Sequence, residues 1–324
     1  MTTITTDLEQ AIQHLNTEDI IAIPTETVYG LAGNIYCSEA IHKIFQLKQR
    51  PLSNPLIVHI HAINQLPEIA TEIPEIAYKL AEKFWPGPLT LLLPKQPSVP
   101  DFITAGKKTV AVRIPNHPVT LALLKSLDFP LAAPSANPFG SISPTTAEHV
   151  ANYFENKLEL ILDGGPSQKG VESTIIGFEY NQAILYRYGS ISVEEIEKIT
   201  GTLRLNTLAE NNPEAPGMLP YHYSPNTGML LVDDIEKYIT LFSHKRIGLL
   251  LFKNCIANNK DMVQEILSPK GDLEEACTNL YAALHRLDKL KLDLIVAEKL
   301  PEIGLGKTIN DRLQRAAKKS ELNY

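Results

Sequence analysis

The segment "DIIAIPTETVYGLAGN", residues 19–34, decides the fold assignment of this chain. Its apolar run Ile21–Ile23 predicts a buried strand, which ends at Pro24. Three hydrogen-bonding side chains, Thr25, Glu26 and Thr27, follow at once. So many polar groups at the point where a strand leaves the core need a structural or a functional reason.

Composition and charge exclude some classes of protein. The chain has 324 residues, of which 44% are hydrophobic and 21% charged, as in a globular protein of one large or two smaller domains. The formal net charge of -7 argues against a protein whose main role is to coat nucleic acid. This charge still leaves room for a local basic pocket.

The cysteines and the apolar runs predict a cytoplasmic protein. Cys37, Cys255 and Cys277 are widely spaced and odd in number, so we expect neither a disulfide framework nor a paired zinc site. The first residues, "MTTITTDLEQ", do not have the pattern of a secretory signal, and the run "LTLLLP" is too short to span a bilayer. We therefore expect no association with a membrane.

Residues 1–200 are predicted to form an α/β domain with a mixed sheet. Thr6 and Glu9 stand in capping-box register, which predicts a first helix from about Asp7 to Asn16. Helical patterns alternate with strand patterns, and two of the strands follow each other directly. The predicted strands are Ile21–Ile23, Leu56–Ile60, Leu89–Pro94, Thr109–Pro115, Leu158–Asp163, Ser173–Phe178 and Ala183–Tyr188.

A proline-rich stretch separates a second domain from the first. Residues 201–228 show little apolar periodicity and are predicted to be a linker, and residues 229–324 to be a smaller α/β domain. In that domain "GMLLVD", "RIGLLLF" and "LDLIVAE" predict strands. The segment "GLGKT", residues 304–308, ends like a phosphate-binding loop, but the first glycine of that motif would fall at Pro301. We interpret it as the start of the last helix, whose Lys and Arg side chains form a solvated face.

Several polar residues of the first domain are candidates for a binding site. Lys48 and Arg50 either complement the dipole of a helix C-terminus or bind a ligand. Arg113 is flanked by apolar residues and should face a cleft or a buried acid. His59, inside an apolar strand, fits either a core histidine or a ligand.

Two polar loops extend this set. In "APSANPFGSISPTTAEHV" small hydroxyls and a glycine precede a predicted helix, a pattern that fits a phosphate cradle or an ordinary N-cap. In "DGGPSQKGVESTIIGF" a glycine pair leads to Glu172, Ser173 and Thr174 at the mouth of the next strand, which also fits a simple turn.

Taken in order, these segments resemble one family. "PTETVYGLAGN", "KQRPLSNPLIVHI", "WPGPLTLLLP", "VAVRIP", "APSANPFGSISPT", "DGGPSQKGVESTII" and "YRYGSI" closely resemble the signatures of the YrdC-like threonylcarbamoyl-AMP synthases. "APGMLPYHYSP" and the second domain match the long form of that family, so the resemblance covers essentially the whole chain. It implies a YrdC-like twisted mixed-sheet domain followed by a smaller Rossmann-like α/β domain.

The resemblance also implies a reaction. L-Threonine, bicarbonate and ATP would give threonylcarbamoyl-AMP and pyrophosphate, with Mg²⁺ on the ATP phosphates, no metal ligand from side chains and no organic cofactor. A separate transferase complex would then modify the adenosine beside the anticodon of tRNAs that read codons starting with A. The protein itself would bind tRNA at most weakly.

Transferred position by position, the resemblance implies roles for individual residues. The catalytic residues would be Lys48 and Arg50. The ATP-binding residues would be Arg50, Asn54, Thr109, Ser135, Ser143, Arg187 and Tyr223. The threonine-binding residues would be Thr27, His59, Arg113, Ala133 through its backbone, and Ser173. Because Tyr223 lies in the linker, we hypothesise that Pro216 to Pro225 closes over the nucleotide and that the second domain mainly anchors this lid.

Two alternative functions remain at this stage. One is an RNA-binding or ribosome-maturation module, which would use Lys48, Arg50, Arg113 and Arg187 as a basic patch. The other is a synthase of carbamoyl-adenylate from carbamoyl phosphate, as in YrdC-like domains of hydrogenase maturation. Those proteins carry zinc-finger segments, for which the cysteine pattern here offers no match.

Overall fold

A computed structural model describes residues 1–180, 182–208, 212–220, 222–256 and 262–321 of the chain. These residues form two β-sheets with helices packed against them. The first sheet is large, twisted and mixed, and the second is small and parallel. The α/β fold expected from the sequence is confirmed.

The large sheet has eleven strands within the described residues, in the spatial order β1-β8-β2-β3-β7-β4-β6-β5-β9-β10-β11. In chain order they are β1 (Thr3–Thr5), β2 (Ile21–Ile23), β3 (Gly30–Asn34), β4 (Ile57–His59), β5 (Leu89–Pro94), β6 (Thr109–Arg113), β7 (Leu131–Ala132), β8 (Leu160–Leu162), β9 (Thr174–Glu179), β10 (Gln182–Arg187) and β11 (Arg204–Leu205). In the centre of the sheet, β4 pairs parallel with β6 and antiparallel with β7.

Helices cover this sheet, and the described ones are α1 (Leu8–Asn16), α2 (Ser38–Lys48), α3 (Leu66–Ile69), α4 (Glu75–Phe84), α5 (Asp101–Thr104), α6 (Pro118–Lys125), α7 (Ala147–Phe154) and α8 (Val193–Thr200). The first helix is capped one residue later than the sequence predicted. Asp7 is its N-cap, because the Asp7 carboxylate accepts from the backbone N–H of Glu9 at 2.9 Å. The capping box predicted from Thr6 and Glu9 is therefore wrong.

The sequence did not predict several strands of the large sheet, among them β1, β3 and β11. β3 contains Gly30 and Gly33 and lacks a strand-like apolar alternation, yet it is buried between β2 and β7. A side chain at Gly33 would contact Ile44, Ala40 and Ile20 at 3.2–3.3 Å, so the packing of α2 against the sheet favours glycine there. β1 is a short polar strand at the edge of the sheet, where it pairs with β8.

The second sheet has the order β12-β15-β13-β14 and is parallel throughout its described residues. Its strands are β12 (Met229–Val232), β13 (Ile247–Leu251), β14 (Val263–Ile266) and β15 (Leu294–Glu298), and its helices are α9 (Ile235–Leu241), α10 (Leu273–Lys289) and α11 (Leu305–Glu321). The sequence predicted these strands except β14, whose segment "VQEI" is half polar at the sheet edge. As expected, "GLGKT" leads into the last helix, which begins at Leu305.

The two sheets are joined by an apolar cluster. In it Val28, Ile142 and Val171 of the first domain pack with buried residues of α10 and α11. Hydrogen bonds add to this contact: the Thr278 hydroxyl donates to Gln168 O at 2.8 Å, and the Thr308 hydroxyl donates to Gly189 O at 2.9 Å. Helices α10 and α11 therefore lie directly against the large sheet's domain.

The solvated basic face predicted for the last helix is wrong at two positions. Arg312 and Arg315 are 1% and 4% exposed, because α11 turns them towards the first domain and the connecting segment. Arg315 donates to Leu219 O at 2.7 Å and Arg312 pairs with Glu172 at 2.9 Å. The sequence pattern of a basic amphipathic helix cannot reveal carboxylates and carbonyls that another part of the chain supplies.

Residues 212–220 and 222–228 lie along the first domain. Ala215 and Met218 are buried against Ile57 and Ile175 of the large sheet. The Ser224 N–H donates to Gly140 O at 2.7 Å, and the Ser224 hydroxyl donates to Ala316 O of α11 at 3.1 Å. The connecting segment thus contacts both domains.

We predict that Gly170→Ala destabilises the protein more than Gly106→Ala. Both glycines have left-handed backbone, with φ of +69° and +75°. A Cβ at Gly170 would lie 2.3 Å from Thr278 O of α10, whereas nothing lies within 4 Å of a Cβ at Gly106. We expect a loss of about 1 kcal/mol for Gly106→Ala from backbone strain alone and about 2 kcal/mol more for Gly170→Ala. Urea unfolding followed by circular dichroism measures both, and equal losses would contradict the close approach of α10.

Candidate active site

A small cavity of about 50 Å³ lies where β2, β4, β6, β7 and β10 end and the connecting segment crosses the first domain. It brings together many of the residues that the sequence singled out. These are Thr27, Arg50, His59, Arg113, Ala133, Ser135, Arg187 and Tyr223.

The loop after β2 orients a threonine hydroxyl. The Thr25 hydroxyl donates to Val28 O at 2.6 Å and accepts from the Thr27 and Val28 N–H groups at 3.2 Å, so the loop closes in a tight turn. The Thr27 hydroxyl lies 2.8 Å from that of Thr25 and accepts from Arg113 Nη1 at 2.9 Å. The polar groups that follow Pro24 therefore fold back to form one wall of the cavity.

Strand register places an arginine and a histidine side by side. His59 of β4 pairs with Arg113 of β6, and both strands end here. Arg113 Nη2 lies 2.6 Å from Glu26 Oε1, so Arg113 faces both the cleft and the buried acid that the sequence left as alternatives. Burial and the adjacent Arg113 lower the pKa of His59 to about 3, which makes its imidazole neutral at pH 7.

Two more arginines, Arg50 and Arg187, line the same cavity. Arg50 Nη2 donates to Asn54 Oδ1 and to Pro55 O, each at 2.7 Å. Arg187 donates through Nε to Ser173 O at 3.0 Å and through Nη2 to the Ser173 hydroxyl at 2.9 Å. Burial and the like charge of Arg187 lower the pKa of Arg50 to about 9, and burial also lowers the pKa of Arg187. Two buried guanidinium groups that repel each other form a strong site for an anion.

Other predicted residues lie behind the cavity wall. Lys48 donates through Nζ to Ser135 O and, at 2.6 Å, to Asn137 O, so it holds the loop after β7. Asn54 and Ser173 orient the two arginines. Ser143 and Thr109 do not line the cavity either. The Ser143 hydroxyl donates to Glu172, and Thr109 begins the strand that ends at Arg113. A direct contact of these five residues with a ligand stays a prediction.

Glu172 was not among the predicted site residues, yet it lines the cavity. Its carboxylate accepts from the Ser143 hydroxyl at 2.6 Å, from the Tyr281 hydroxyl at 3.0 Å and from Arg312 Nε at 2.9 Å. Burial alone would raise the pKa of Glu172, but Arg312 and Arg187 lower it to about 2. Tyr281 and Arg312 stand more than a hundred residues further along the chain, so no local sequence signal could have revealed this cluster.

The connecting segment forms the outer wall of the cavity through Pro216, Gly217, His222 and Tyr223. The Tyr223 ring lies 4.7 Å from the guanidinium carbon of Arg312, and its buried hydroxyl has no hydrogen-bond partner among the described residues. Burial raises the pKa of Tyr223 to about 12. Gly217 has φ +87°, and a Cβ there would lie 2.7 Å from Arg187 Cδ, so a larger residue would push the segment off the arginine.

The described lining of this cavity contains one carboxylate. Its lining carboxylate, Glu172, is already engaged by three donors. The described clusters with metal-ligand spacing, His14–Asp19–Glu159 and Glu18–Cys37–Glu39, are made of residues that do not line it.

Within the described ranges, no helix has both the length and the apolar character needed to cross a membrane.

We predict that Glu172 makes the protein sensitive to acid. Its folded-state pKa of about 2 is below the ordinary value of 4.5, so the stabilisation is present above about pH 4.5 and is lost as the pH falls towards 2. The shift corresponds to on the order of 3 kcal/mol. In urea unfolding between pH 7 and pH 3.5, the stability advantage of the wild type over Glu172→Gln should shrink. Glu179→Gln, which removes a surface ion pair with Arg204, is the control and should show less than about 1 kcal/mol of change. A pH-independent advantage would contradict the low pKa.

Two family models match consecutive parts of the chain. Residues 13–189 match the Sua5/YciO/YrdC model, which is described as "Telomere recombination". Residues 191–318 match the model described as "Threonylcarbamoyl-AMP synthase, C-terminal domain".

Similar proteins extend over nearly the full length. The threonylcarbamoyl-AMP synthase of Pyrococcus abyssi is 41% identical over 312 residues, which cover 92% of this chain and 90% of that protein. The threonylcarbamoyl-AMP synthase of Bacillus subtilis is 39% identical over 320 residues, covering 96% and 92%. The crystal structure of P. abyssi Sua5 complexed with L-threonine superposes with a TM-score of 0.91 at 38% identity and covers 99% of this chain and 98% of that one. The chain therefore belongs to the Sua5 family of threonylcarbamoyl-AMP synthases, which are nucleotidyl-transferring enzymes.

Proposed function

We propose that this protein forms threonylcarbamoyl-AMP and pyrophosphate from L-threonine, bicarbonate and ATP. The observation that carries the proposal is that one cavity has two different halves. Thr27, His59 and Arg113 form a half suited to a hydroxylated amino acid, and Arg50 and Arg187 form a half suited to phosphate.

The threonine half supplies groups of matching chemistry. Arg113 presents a guanidinium fork that suits a carboxylate, and Glu26 fixes its orientation from behind. The Thr27 hydroxyl and the neutral imidazole of His59 are partners for a hydroxyl or an amino group, and the backbone at Ala133 completes this wall. A buried hydrogen-bonding site of this kind rejects valine, which would leave those groups without partners.

The phosphate half is built for charge neutralisation. The amino group of threonine and bicarbonate first form a carbamate and release one water molecule. A carbamate oxygen then forms a bond to the α-phosphorus of ATP, and the bond to the leaving pyrophosphate oxygen breaks. Arg50 and Arg187 hold the negative oxygens and align them, while Ser135 and Tyr223 line the same region. Mg²⁺ bound with ATP would neutralise further charge on the phosphate oxygens, and the phosphates supply most of its ligands. Lys48 supports this half through the loop that carries Ser135.

The connecting segment acts as a lid in this proposal. A cavity of about 50 Å³ is far smaller than the roughly 300 Å³ or more of typical ligand sites, so the wall must move before ATP can bind. Pro216, Gly217, His222 and Tyr223 are the part of that wall that belongs to the connecting segment. Closure would keep water away from the carbamate and from the mixed anhydride of the product.

The buried positions of the cations disfavour the RNA-binding alternative. The residues of the suggested basic patch are all buried: Lys48 is 1% exposed, Arg50 7%, Arg113 4% and Arg187 6%. Side chains at this depth do not reach the backbone of a folded RNA. We therefore propose that tRNA binds this protein at most weakly. We also propose that the product leaves for a separate transferase that modifies tRNA, and that the protein acts in the cytoplasm.

The test of the proposed function is pyrophosphate release from MgATP. We expect release only when L-threonine and bicarbonate are both present, and a rate at least about 100-fold lower with L-valine in place of threonine. Release that ignores threonine would overturn the proposal. Release that needs carbamoyl phosphate instead of bicarbonate would support the carbamoyl-adenylate alternative.

We predict that Thr27→Val impairs threonine binding selectively. Valine keeps the shape but removes the oxygen that accepts from Arg113 Nη1 at 2.9 Å. We expect the KM for L-threonine to rise by about 10-fold to 100-fold and the KM for ATP to change by less than about 3-fold. Thr27→Ser keeps the hydroxyl and is the matched control. An equal rise of both KM values would show that Thr27 acts on the whole cavity.

We predict that a disulfide across the lid stops turnover. Ser141 and Ser224 form a parallel β-bridge between the first domain and the connecting segment, a geometry that suits a cystine. The experiment uses Ser141→Cys with Ser224→Cys in a Cys255→Ser background, because Cys255 is exposed. The oxidised protein should retain less than about 10% of the activity of the reduced protein, since ATP cannot enter. Dithiothreitol should restore it, and each single cysteine variant should be indifferent to oxidation. Full activity of the crosslinked protein would exclude an opening lid at this segment.

A further inference from the structure

Arg312 of α11 contacts three parts of the molecule that meet at the cavity. Its side chain has no exposed surface and donates through Nε to Glu172 Oε2 at 2.9 Å. Its Nη2 donates to Tyr188 O, directly after Arg187, at 2.5 Å. Its guanidinium group faces the ring of Tyr223 in the lid segment, 4.7 Å from the centroid. One side chain of the second domain thus touches the cavity's carboxylate, the end of β10 and the lid.

The carboxylate of Glu172 is unexpected beside a phosphate site, because both groups are negatively charged. It is an ionised carboxylate in the same wall as Arg50 and Arg187, whose charges would attract the triphosphate. An uncompensated negative charge at that position would repel the same ligand, and burial strengthens the repulsion because little water screens it. The wall can bind ATP only if another group neutralises Glu172.

Part of the neutralising charge comes from the second domain through Arg312, and Arg187 of the same wall adds to it. Glu172 and Asp311 are the carboxylates of a cluster in which Arg312 and Arg315 are the cations. The cluster is balanced as a whole, but its two arginines lie differently. Arg312 pairs with Glu172, which lines the cavity, and through Nη1 with Asp311 at 2.5 Å. Arg315 pairs with Asp311 and donates to Leu219 O and Thr207 O.

We propose that Arg312 is a positioning residue for the nucleotide, which neutralises Glu172 in the cavity wall and supports Tyr223 from behind. This inference rests on the proposed function, because it takes the phosphate half of the cavity as the ATP site. The second domain then does more than anchor the lid: it completes the electrostatics of the catalytic domain. A buried ion pair adds little net stability compared with an apolar pair of the same size. Stability alone therefore does not explain why Glu172 and Arg312 form an ion pair at this wall.

The experiment compares Arg312→Gln, Glu172→Gln and their double variant in steady-state pyrophosphate release. In Arg312→Gln the carboxylate remains without its partner, so we expect the KM for ATP to rise by about 10-fold or more. The kcat and the KM for L-threonine should change by less than about 3-fold, because the threonine half does not face the pair. Arg312→Lys keeps the charge and should bring the KM for ATP back towards the wild-type value.

The double variant separates charge from structure. Glu172→Gln removes the stranded negative charge, so Arg312→Gln with Glu172→Gln should return the KM for ATP to within about 3-fold of wild type. A purely structural role of Arg312 instead predicts that the KM for L-threonine and the stability in urea change together with the KM for ATP, because a stranded buried charge then disturbs the whole site. A double variant with a KM for ATP as high as that of Arg312→Gln would overturn the proposal.

Arg315→Gln is the matched control. It removes the same charge from the same helix and loosens the connecting segment at Leu219. Its ion-pair partner is Asp311, which does not line the cavity and which keeps Arg312 Nη1 at 2.5 Å. Any increase of the KM for ATP in Arg315→Gln should therefore persist when Glu172→Gln is added. Rescue of both arginine variants by Glu172→Gln would show that the effect is not specific to Arg312.

One further measurement keeps the proposal testable if Arg312→Gln does not fold or the enzyme does not turn over. Glu172→Gln alone should bind MgATP about 3-fold more tightly than wild type, because the cavity wall then carries one negative charge fewer. Weaker binding would overturn the proposal and would instead make Glu172 a ligand of the metal or the nucleotide. Titration calorimetry with MgATP gives this affinity without turnover, so a failure of the proposed reaction can be told apart from a failure of this inference.

Discussion

The buried carboxylate of Glu172 is the interaction on which the arrangement of the molecule depends. It is held by a hydroxyl of the first domain, Ser143, and by two groups of the second domain, Tyr281 and Arg312. Taking a carboxylate out of water costs several kcal/mol unless charged and hydrogen-bonding partners replace the water. The two domains and the connecting segment must therefore meet in one relative position for this charge to be satisfied. That position also sets the outer wall of the cavity, because the Tyr223 ring lies against Arg312.

The second constraint is strand register in the centre of the large sheet. β4 pairs with β6 so that His59 lies beside Arg113, and with β7 so that His59 lies opposite Leu131. A shift of one residue would turn these side chains to the other face of the sheet. The loop after β2 then reaches Arg113 through the Thr27 hydroxyl. A hydroxyl, a neutral imidazole and a guanidinium group are thus held in one cavity by backbone pairing, before any ligand is present.

The sequence predicted the local features of the site well where the signal was itself local. Arg113, an isolated charge in an apolar strand, does face a buried acid, and Thr25 and Thr27 after Pro24 do line the cavity. Prediction was weaker where a residue acts through a neighbour. Asn54 and Ser173 contact the two arginines, and Lys48 contacts backbone carbonyls, so each lies behind the wall. Position in a motif does not distinguish a residue that touches a ligand from one that orients another side chain.

The sequence by itself determined the α/β class, most strands, the second sheet and the family, because apolar periodicity and the order of short motifs are local properties of the chain. It did not determine β3, whose glycines carry no strand pattern, or the burial of Arg312 and Arg315. It also missed the role of Glu172, whose partners Tyr281 and Arg312 come from distant helices. Only the tertiary structure decided these features, because burial and ion pairing depend on which distant segments meet, and a charged residue in an amphipathic helix has the same sequence pattern whether water or a carboxylate faces it.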